Sequence, residues 1–324
     1  MVVMNPTGDI AVQQRNLILF STGVMLLIIV PVMALTIWFA WKYRRSNPNK
    51  TYDPDFDHST TLELIIWTCP LLIIIALSAV TWTSTHLLDP FRPLERIAPG
   101  KPIPAGAKPL KVQAIGLDWK WLFIYPDLGI ATVNELALPV DQPVHFSITS
   151  TDQFNTFYAP TLAGMIYAMP TMKSELHAVL NKGGDSWGYS GNYTGAGYSD
   201  MRFKLRGMDK AGFDQWVAGV KAGGALDTAS YLQLARPSAK VPVMHFSTVV
   251  PGLFDRIVNQ CAKPGKPCMV DVMRDDMMRA RRNPGKEPPP SKPTSEPAEP
   301  HHEGMNMSAL PPLRMPGAPR AAQA

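Results

Sequence analysis

The sequence predicts a membrane protein: a two-helix transmembrane hairpin followed by an all-β sandwich, a short helical extension and a disordered tail. Three observations carry this. No charged side chain lies between Arg15 and Lys42, or between Glu63 and His86, and each gap exceeds the roughly 20 apolar residues that cross about 30 Å of hydrocarbon. From Leu110 short alternating runs recur, bounded by Pro, Gly and Asp, as in a small sandwich or barrel. After about Asp276 the chain becomes RARRNPGKEPPPSKPTSEPAEP, with too little apolar surface to pack.

Taken in order, residues 1–16 form an N-terminal tail. It has no charged n-region with a cleavage site, so this form shows no signal peptide. Residues 17–41 and 62–86 are the two spans. Pro31 and Pro70 lie inside them, which membrane helices tolerate where neighbours re-satisfy the freed carbonyl. Trp38, Trp41 and Tyr43 at one end of the first span, and Trp82 near the end of the second, fit an interfacial aromatic belt. The connecting loop, 42–61, carries Lys42, Arg44, Arg45 and Lys50, against Arg15 alone in the tail. Arg92, Arg96 and Lys101 lie farther from the second span. The positive-inside rule therefore puts the loop in the cytoplasm and both termini outside.

Residues 87–109 form a linker rich in proline and glycine. Residues 110–207 form the β domain, with strands expected in KVQAIGLDWKWLFIYP, ATVNELALP, PVHFSITS, FNTFYAP, ELHAVLN and MRFKLRG. GGDSWGYSGNYTGAGYSDM is a glycine-rich loop between the last two. Residues 208–275 turn helical, with amphipathic candidates in AGFDQWVAGVKAG and DTASYLQLA, and PGLFDRIVNQ begins with Pro251, suited to a first helical turn. Residues 276–324 form the tail. Its HHEGMNMSALPPLRM end is biased to His and Met and is read as a solvated tail rather than a weak copper site.

With 324 residues and a net charge of +5, the chain shows no basic stripe interleaved with aromatics, so no nucleic acid is expected. Its three cysteines make no zinc pattern. Cys69 is a packing residue of the second span. Cys261 and Cys268 are spaced to form a disulfide if they lie outside the cytoplasm, and are two free thiols otherwise.

These residues carry a likeness. The hairpin, the linker, DWKWLFIYP and a β domain with a glycine-rich loop resemble subunit II of the haem–copper respiratory oxidases. The closer match is the quinol-oxidising branch, that of the cytochrome o ubiquinol oxidases. RNLILFSTGVML, FAWKYR, DWKWLFIYPDLGIATVNE, IYAMPTMKSELH, FDQWVA and HFSTVVPGLFDRIVNQ carry that match. The resemblance spans about residues 5–265 and implies a periplasmic cupredoxin-like domain in a bacterial inner-membrane protein. Some members carry a lipid-modified cysteine after a signal peptide. By alignment of NPTGDI it would fall just before Met1, so either the start is placed downstream or this member lacks the anchor.

In the cytochrome c-oxidising branch this domain holds a binuclear copper centre, with ligands from a strand His and a C-x-E-x-C-x3-H-x2-M loop. The matching positions here are Asn155 on the strand and Ser190, Asn192, Thr194, Tyr198 and Met201 in the loop. Copper cycling between Cu(I) and Cu(II) needs soft sulfur and nitrogen donors, and only the Met201 thioether survives. These residues are vestigial positions, not ligands, and Met201 is a packing residue. His145 and His177, in predicted strands without an accompanying cysteine, are read as surface or core histidines. Trp119 and Trp121 occupy the region of the relatives' electron-entry patch, but are read as core and interface aromatics. No catalytic, cofactor-binding or metal residue is expected in this chain.

Glu63, at the start of the second span, matches a glutamate at the cytoplasmic mouth of a proton channel into the family's catalytic subunit. The plainer alternative is a charge favoured by the helix dipole. The resemblance thus implies a cofactor-free subunit II of a proton-pumping ubiquinol oxidase, whose haems and copper sit in the catalytic subunit I. Further small membrane subunits are implied as partners, ubiquinol as the substrate of the complex, and no cytochrome c. The rival readings are a cytochrome c oxidase subunit II with binuclear copper, which the missing ligands disfavour, and a membrane-tethered cupredoxin-like binding module or copper chaperone.

Overall fold

The computed structural model describes residues 2–48 and 55–282. The chain divides into two units, Met1–Val272 and Met273–Ala324. In the first, a 3-10 turn at Val2–Met4 precedes helix α1, Asp9–Lys42, and then α2, Thr60–Leu87. Among the described residues fourteen strands follow: β1 Arg96–Ala98, β2 Lys101–Pro102, β3 Leu110–Leu117, β4 Lys120–Tyr125, β5 Ile130–Val133, β6 Glu135–Pro139 and β7 Pro143–Ser150, then β8 Asn155–Tyr158, β9 Met165–Ala168, β10 Ser174–Val179, β11 Gly184–Ser190, β12 Arg202–Met208, β13 Gly224–Leu226 and β14 Met244–Val249. Among the later elements are α3 Lys210–Val220, α4 Thr228–Leu234, α5 Leu253–Val258 and α6 Met269–Arg282.

The helices α1 and α2 keep long runs of Leu, Ile, Val, Met and Trp exposed, from Ile18 to Trp41 and from Leu62 to Trp82. Exposing so much contiguous apolar surface to water is not sustainable. A bilayer, or a partner within it, must cover these faces. At the loop end of α1 the Lys42 ammonium lies 4.8 Å from the Trp38 ring centroid and the Arg44 guanidinium 5.8 Å from that of Trp41. This pairs the belt aromatics with the loop cations.

The first helix starts eight residues before the expected span. Its opening turn is docked rather than free: Asp9, Ile10 and Ala11 are buried. The Asp9 carboxylate accepts from Arg96 Nε at 3.0 Å and Gln13 Nε2 at 2.7 Å. Just ahead of it, the Thr7 and Gly8 amides donate to the Thr161 carbonyl, and the Asn181 and Lys182 amides donate to the Thr7 carbonyl. A Cβ on Gly8 would sit 2.6 Å from the Leu162 carbonyl oxygen, so this approach needs glycine. The tail expected at 1–16 is therefore partly an anchor to the β domain.

Two sheets make the sandwich, of the cupredoxin-like kind that the resemblance implies. The larger has the order β10-β7-β3-β4-β5-β14-β13, the smaller β6-β12-β11-β8-β9. Between them lie Trp121, Phe123, Phe146, Phe157 and Phe203, all fully buried. Each such side chain contributes about 1.5–3 kcal/mol by leaving water. The Tyr125 hydroxyl donates to the Ala137 carbonyl and accepts from the Ala137 amide, both at 3.0 Å, and burial pushes its pKa well above the ordinary phenol value.

Four expectations are corrected. DWKW is not strand throughout: β3 and β4 form a hairpin about Asp118 and Trp119, with Trp119 at φ +62°. The glycine-rich segment is half strand, because β11 pairs with β12 and β8. The extension at 208–275 is not only helical: β14 pairs with β5, and β13 with β14. The reason is tertiary. Residues of β4 are buried on both faces, and the extension supplies the outer cover, placing Leu226, Tyr231, Leu234, Phe246, Leu253, Phe254 and Ile257 against Ile115, Leu122, Ile124 and Val133. Finally, α6 carries helix to Arg282, into the stretch expected to be disordered. Its last turn holds Arg279, Arg281 and Arg282, which favour a helix C-terminus. The rest of the expected tail, with its His/Met end, lies outside the described residues. The linker also holds the small β1–β2 hairpin, turned through Gly100 at φ +74°.

Candidate functional site

Strands β8 and β11 and the loop after β11 bring together the positions matched to copper ligands. Asn155 Nδ2 donates to Ser150 Oγ at 2.9 Å and to the Gln153 carbonyl at 3.2 Å. Its Oδ1 accepts from Ser190 Oγ at 3.2 Å. Asn155 and Ser190 are both buried, so each uses the other to satisfy a polar group that would be costly to leave alone. The Ser190 amide donates to the Met201 carbonyl, while the Met201 side chain is buried in the core. Asn192 Nδ2 donates to the Phe154 carbonyl at 3.1 Å. Tyr198 begins a 3-10 turn and packs edge-on to Tyr193, with centroids 5.7 Å apart. The Thr194 hydroxyl is buried without a hydrogen-bond partner.

The Trp119 indole closes this loop. Its Nε1 donates to the Thr194 carbonyl at 2.9 Å. A Cβ on Gly197 would lie 2.4 Å from the ring, so the glycine permits the stacking. Trp121 lies one layer deeper, edge-on to Phe157 and Phe203 at 5.5 and 5.9 Å.

A binuclear copper centre does not fit this donor set. Amide and hydroxyl groups stand where bridging thiolates and imidazoles are required, and two of them, Asn155 and Ser190, are bonded to each other. Of the three cysteines, Cys69 is on α2 and the other two form a Cys261–Cys268 disulfide beyond α5.

A second cluster, which sequence reasoning missed, joins the sandwich to its outer cover. Buried Glu135 accepts from Arg206 Nη1 at 3.2 Å, from Trp216 Nε1 at 3.0 Å, and lies 2.7 Å from His245 Nε2. Four elements thus meet on one carboxylate: β6, β12, α3 and β14. Nearby in sequence, Asn134 sits at φ +56°; its Oδ1 accepts from the Trp121 amide and its Nδ2 donates to the Val241 carbonyl, both at 2.8 Å. Lys120 Nζ donates to the Arg236 carbonyl and Ser238 Oγ at 2.8 and 2.7 Å. Burial lowers the Lys120 pKa, with neighbouring Asp118 opposing. Burial raises that of Asp118, helped by Asp152 and opposed by Lys120.

Glu63 lies in the first turn of α2, its Oε1 2.8 Å from His58 Nδ1. His58 Nε2 is 3.2 Å from Thr60 Oγ1. The His58 contact was not anticipated, although the five-residue spacing was in plain view in HSTTLE.

The COX Aromatic Rich Motif matches residues 221–265, the segment holding β13, α4, β14 and α5. Over 259 residues the chain is 46% identical to cytochrome bo(3) ubiquinol oxidase subunit 2 of Pseudomonas putida, covering 80% of each. The chain belongs to the ubiquinol oxidase subunit 2 family. A further relative, ubiquinol oxidase subunit 2 of Acetobacter aceti, is 42% identical over 282 residues, 87% of this chain and 88% of its own. Among solved structures, the periplasmic domain of cytochrome oxidase subunit II of Bradyrhizobium japonicum aligns at TM-score 0.34 and 24% identity, covering 35% of this chain and 94% of that one.

As a member of the ubiquinol oxidase subunit 2 family, the chain is a subunit of an oxidoreductase complex. Membership implies pairing with a haem–copper catalytic subunit I in a membrane complex. Two spans followed by a large β domain match a multi-pass inner-membrane topology.

Proposed function

We propose that this chain is the supporting subunit II of a proton-pumping ubiquinol oxidase and relays no electrons itself. Quinol is lipid-soluble, so its electrons can enter the catalytic subunit from within the bilayer. No cytochrome c and no outer copper relay are then needed. The hairpin packs against subunit I and smaller membrane subunits, and the β domain caps the outer face. The observation that carries this reading is the Asn155–Ser190 pair: hydrogen-bonded amide and hydroxyl side chains stand where a relay would require metal donors. Extraction in mild detergent tests it. The subunit should co-purify with haem and ubiquinol oxidase activity, and show no copper–thiolate band in the near infrared. Isolation free of haem, or stoichiometric copper at the loop, overturns it.

Within that reading, Glu63 serves proton entry from the cytoplasmic side, with His58 as its hydrogen-bonded neighbour. Glu63→Ala should lower the protons translocated per oxygen reduced, at unchanged haem content, and Glu63→Asp should retain much of the wild-type value. A pump stoichiometry unaffected by Glu63→Ala returns Glu63 to a dipole role.

A further inference from the structure

We propose that His145, Glu175 and His177 form a binding site for a divalent transition metal of the zinc class, on the edge of the larger sheet next to where α2 meets the β domain. The site is separate from the vestigial copper loop and has no part in electron transfer.

The strand register assembles it. His145 on β7 stands directly opposite His177 on β10 in antiparallel pairing. Glu175 precedes His177 by two residues and so shares its face. One donor atom from each of the three lies within 4.8 Å of the others. The two imidazoles stack, with centroids 4.5 Å apart and an 11° angle between planes. His145 Nε2 is 3.4 Å from Glu175 Oε2, yet it is a buried nitrogen with no hydrogen bond.

The plain alternative is a packed cross-strand pair. That accounts for the stacking and for the 3.4 Å His145–Glu175 contact, but not for the convergence of three donor atoms within 4.8 Å of one another. The carboxylate is also divided in a useful way: Oε1 is held by Lys173 Nζ at 2.8 Å, and Oε2 faces the imidazole.

Two imidazoles and one carboxylate favour zinc over the oxygen-seeking magnesium or calcium. Tetrahedral zinc with nitrogen at about 2.0–2.1 Å needs donors about 3.3 Å apart. The His145–Glu175 contact already meets this, and rotation of the His177 ring supplies the third ligand. A water completes the shell.

The position gives the ion something to act on. The His177 amide donates to the Pro90 carbonyl, three residues beyond α2. His177 also lines a cavity of about 200 Å³ with Gln13 and Gln14 of α1 and Leu88 and Arg92 beyond α2. A bound ion would brace this joint between hairpin and sandwich.

The test uses full-length protein in detergent, titrated with zinc chloride against a chromogenic chelator. One zinc ion per chain is expected. Its affinity should fall by about tenfold or more in His145→Asn/His177→Asn, and by less in Glu175→Gln, since each removes a ligand that binds deprotonated. His301→Ala/His302→Ala should leave that ion in place. Cobalt substitution of the wild-type protein should give the visible bands of a tetrahedral nitrogen–oxygen site, a reading independent of whether the double variant folds. Absence of stoichiometric binding by wild type, or binding that survives both Glu175→Gln and the double variant unchanged, overturns the proposal.

Discussion

Two buried polar clusters among the described residues of the β domain use different chemistry for different ends. The side chains hydrogen-bonded to Asn155, those of Ser150 and Ser190, are neutral, and these bonds stay within one corner of the sandwich. Around Glu135 a charge gathers Arg206, Trp216 and His245 from elements far apart in the chain. Hydrogen bonds to a charged group are roughly twice as strong as neutral ones, and removing the charge orphans several donors at once. The Asn155–Ser190 pair thus fills its corner without charge, whereas the Glu135 side fastens the outer cover to the sandwich.

Breaking the charged side should have the largest effect. Glu135→Ala should destabilise the domain by about 2–4 kcal/mol, because three donors, two of them part-exposed, lose one buried charged acceptor. Thermal unfolding and proteolysis should show the 221–265 segment released first. The disulfide comes next. Cys261 and Cys268 are seven residues apart, and a loop this short contributes about 2.5 kcal/mol in the chain-entropy account. Cys261→Ser/Cys268→Ser should lower the unfolding temperature without changing haem content in the complex. On the loop side, Gly197→Ala should cost about 1–3 kcal/mol through overpacking against Trp119, visible as altered tryptophan fluorescence. Asn155→Ala should cost least, about 1 kcal/mol, as one neutral hydrogen-bonding group is lost. An Asn155→Ala loss matching that of Glu135→Ala would dissolve the distinction between the clusters.

What the sequence made legible was local or compositional. Charge-free runs mark α1 and α2 because the bilayer forbids charges at that depth. Alternation marked β7, whose residues alternate between buried and part-exposed. The six positions matched to copper ligands came from the family resemblance; in the fold Asn155 bonds Ser190, and Ser190 bonds the Met201 carbonyl. What stayed hidden depends on partners distant in the chain. MHFSTV becomes a strand because β5 offers it an edge. Glu135 looks like one acidic residue in a β run until Arg206 and His245 arrive 71 and 110 residues later. His145 and His177 were visible singly, but only the register of β7 with β10 puts them face to face. Helix α1 began early because Thr7 and Gly8 bond to residues beyond 160, which no window around Asp9 can reveal.

That last contact sets an order of events in biogenesis. The segment that leads α1 is made first, yet its bonding partners, Thr161, Leu180 and Asn181, are synthesised about 150 residues later and must themselves reach the outer compartment. The outer end of the first span is therefore untethered throughout translation and export. It locks only when the exported sheet has closed, so final seating of the membrane anchor reports that the soluble half has folded.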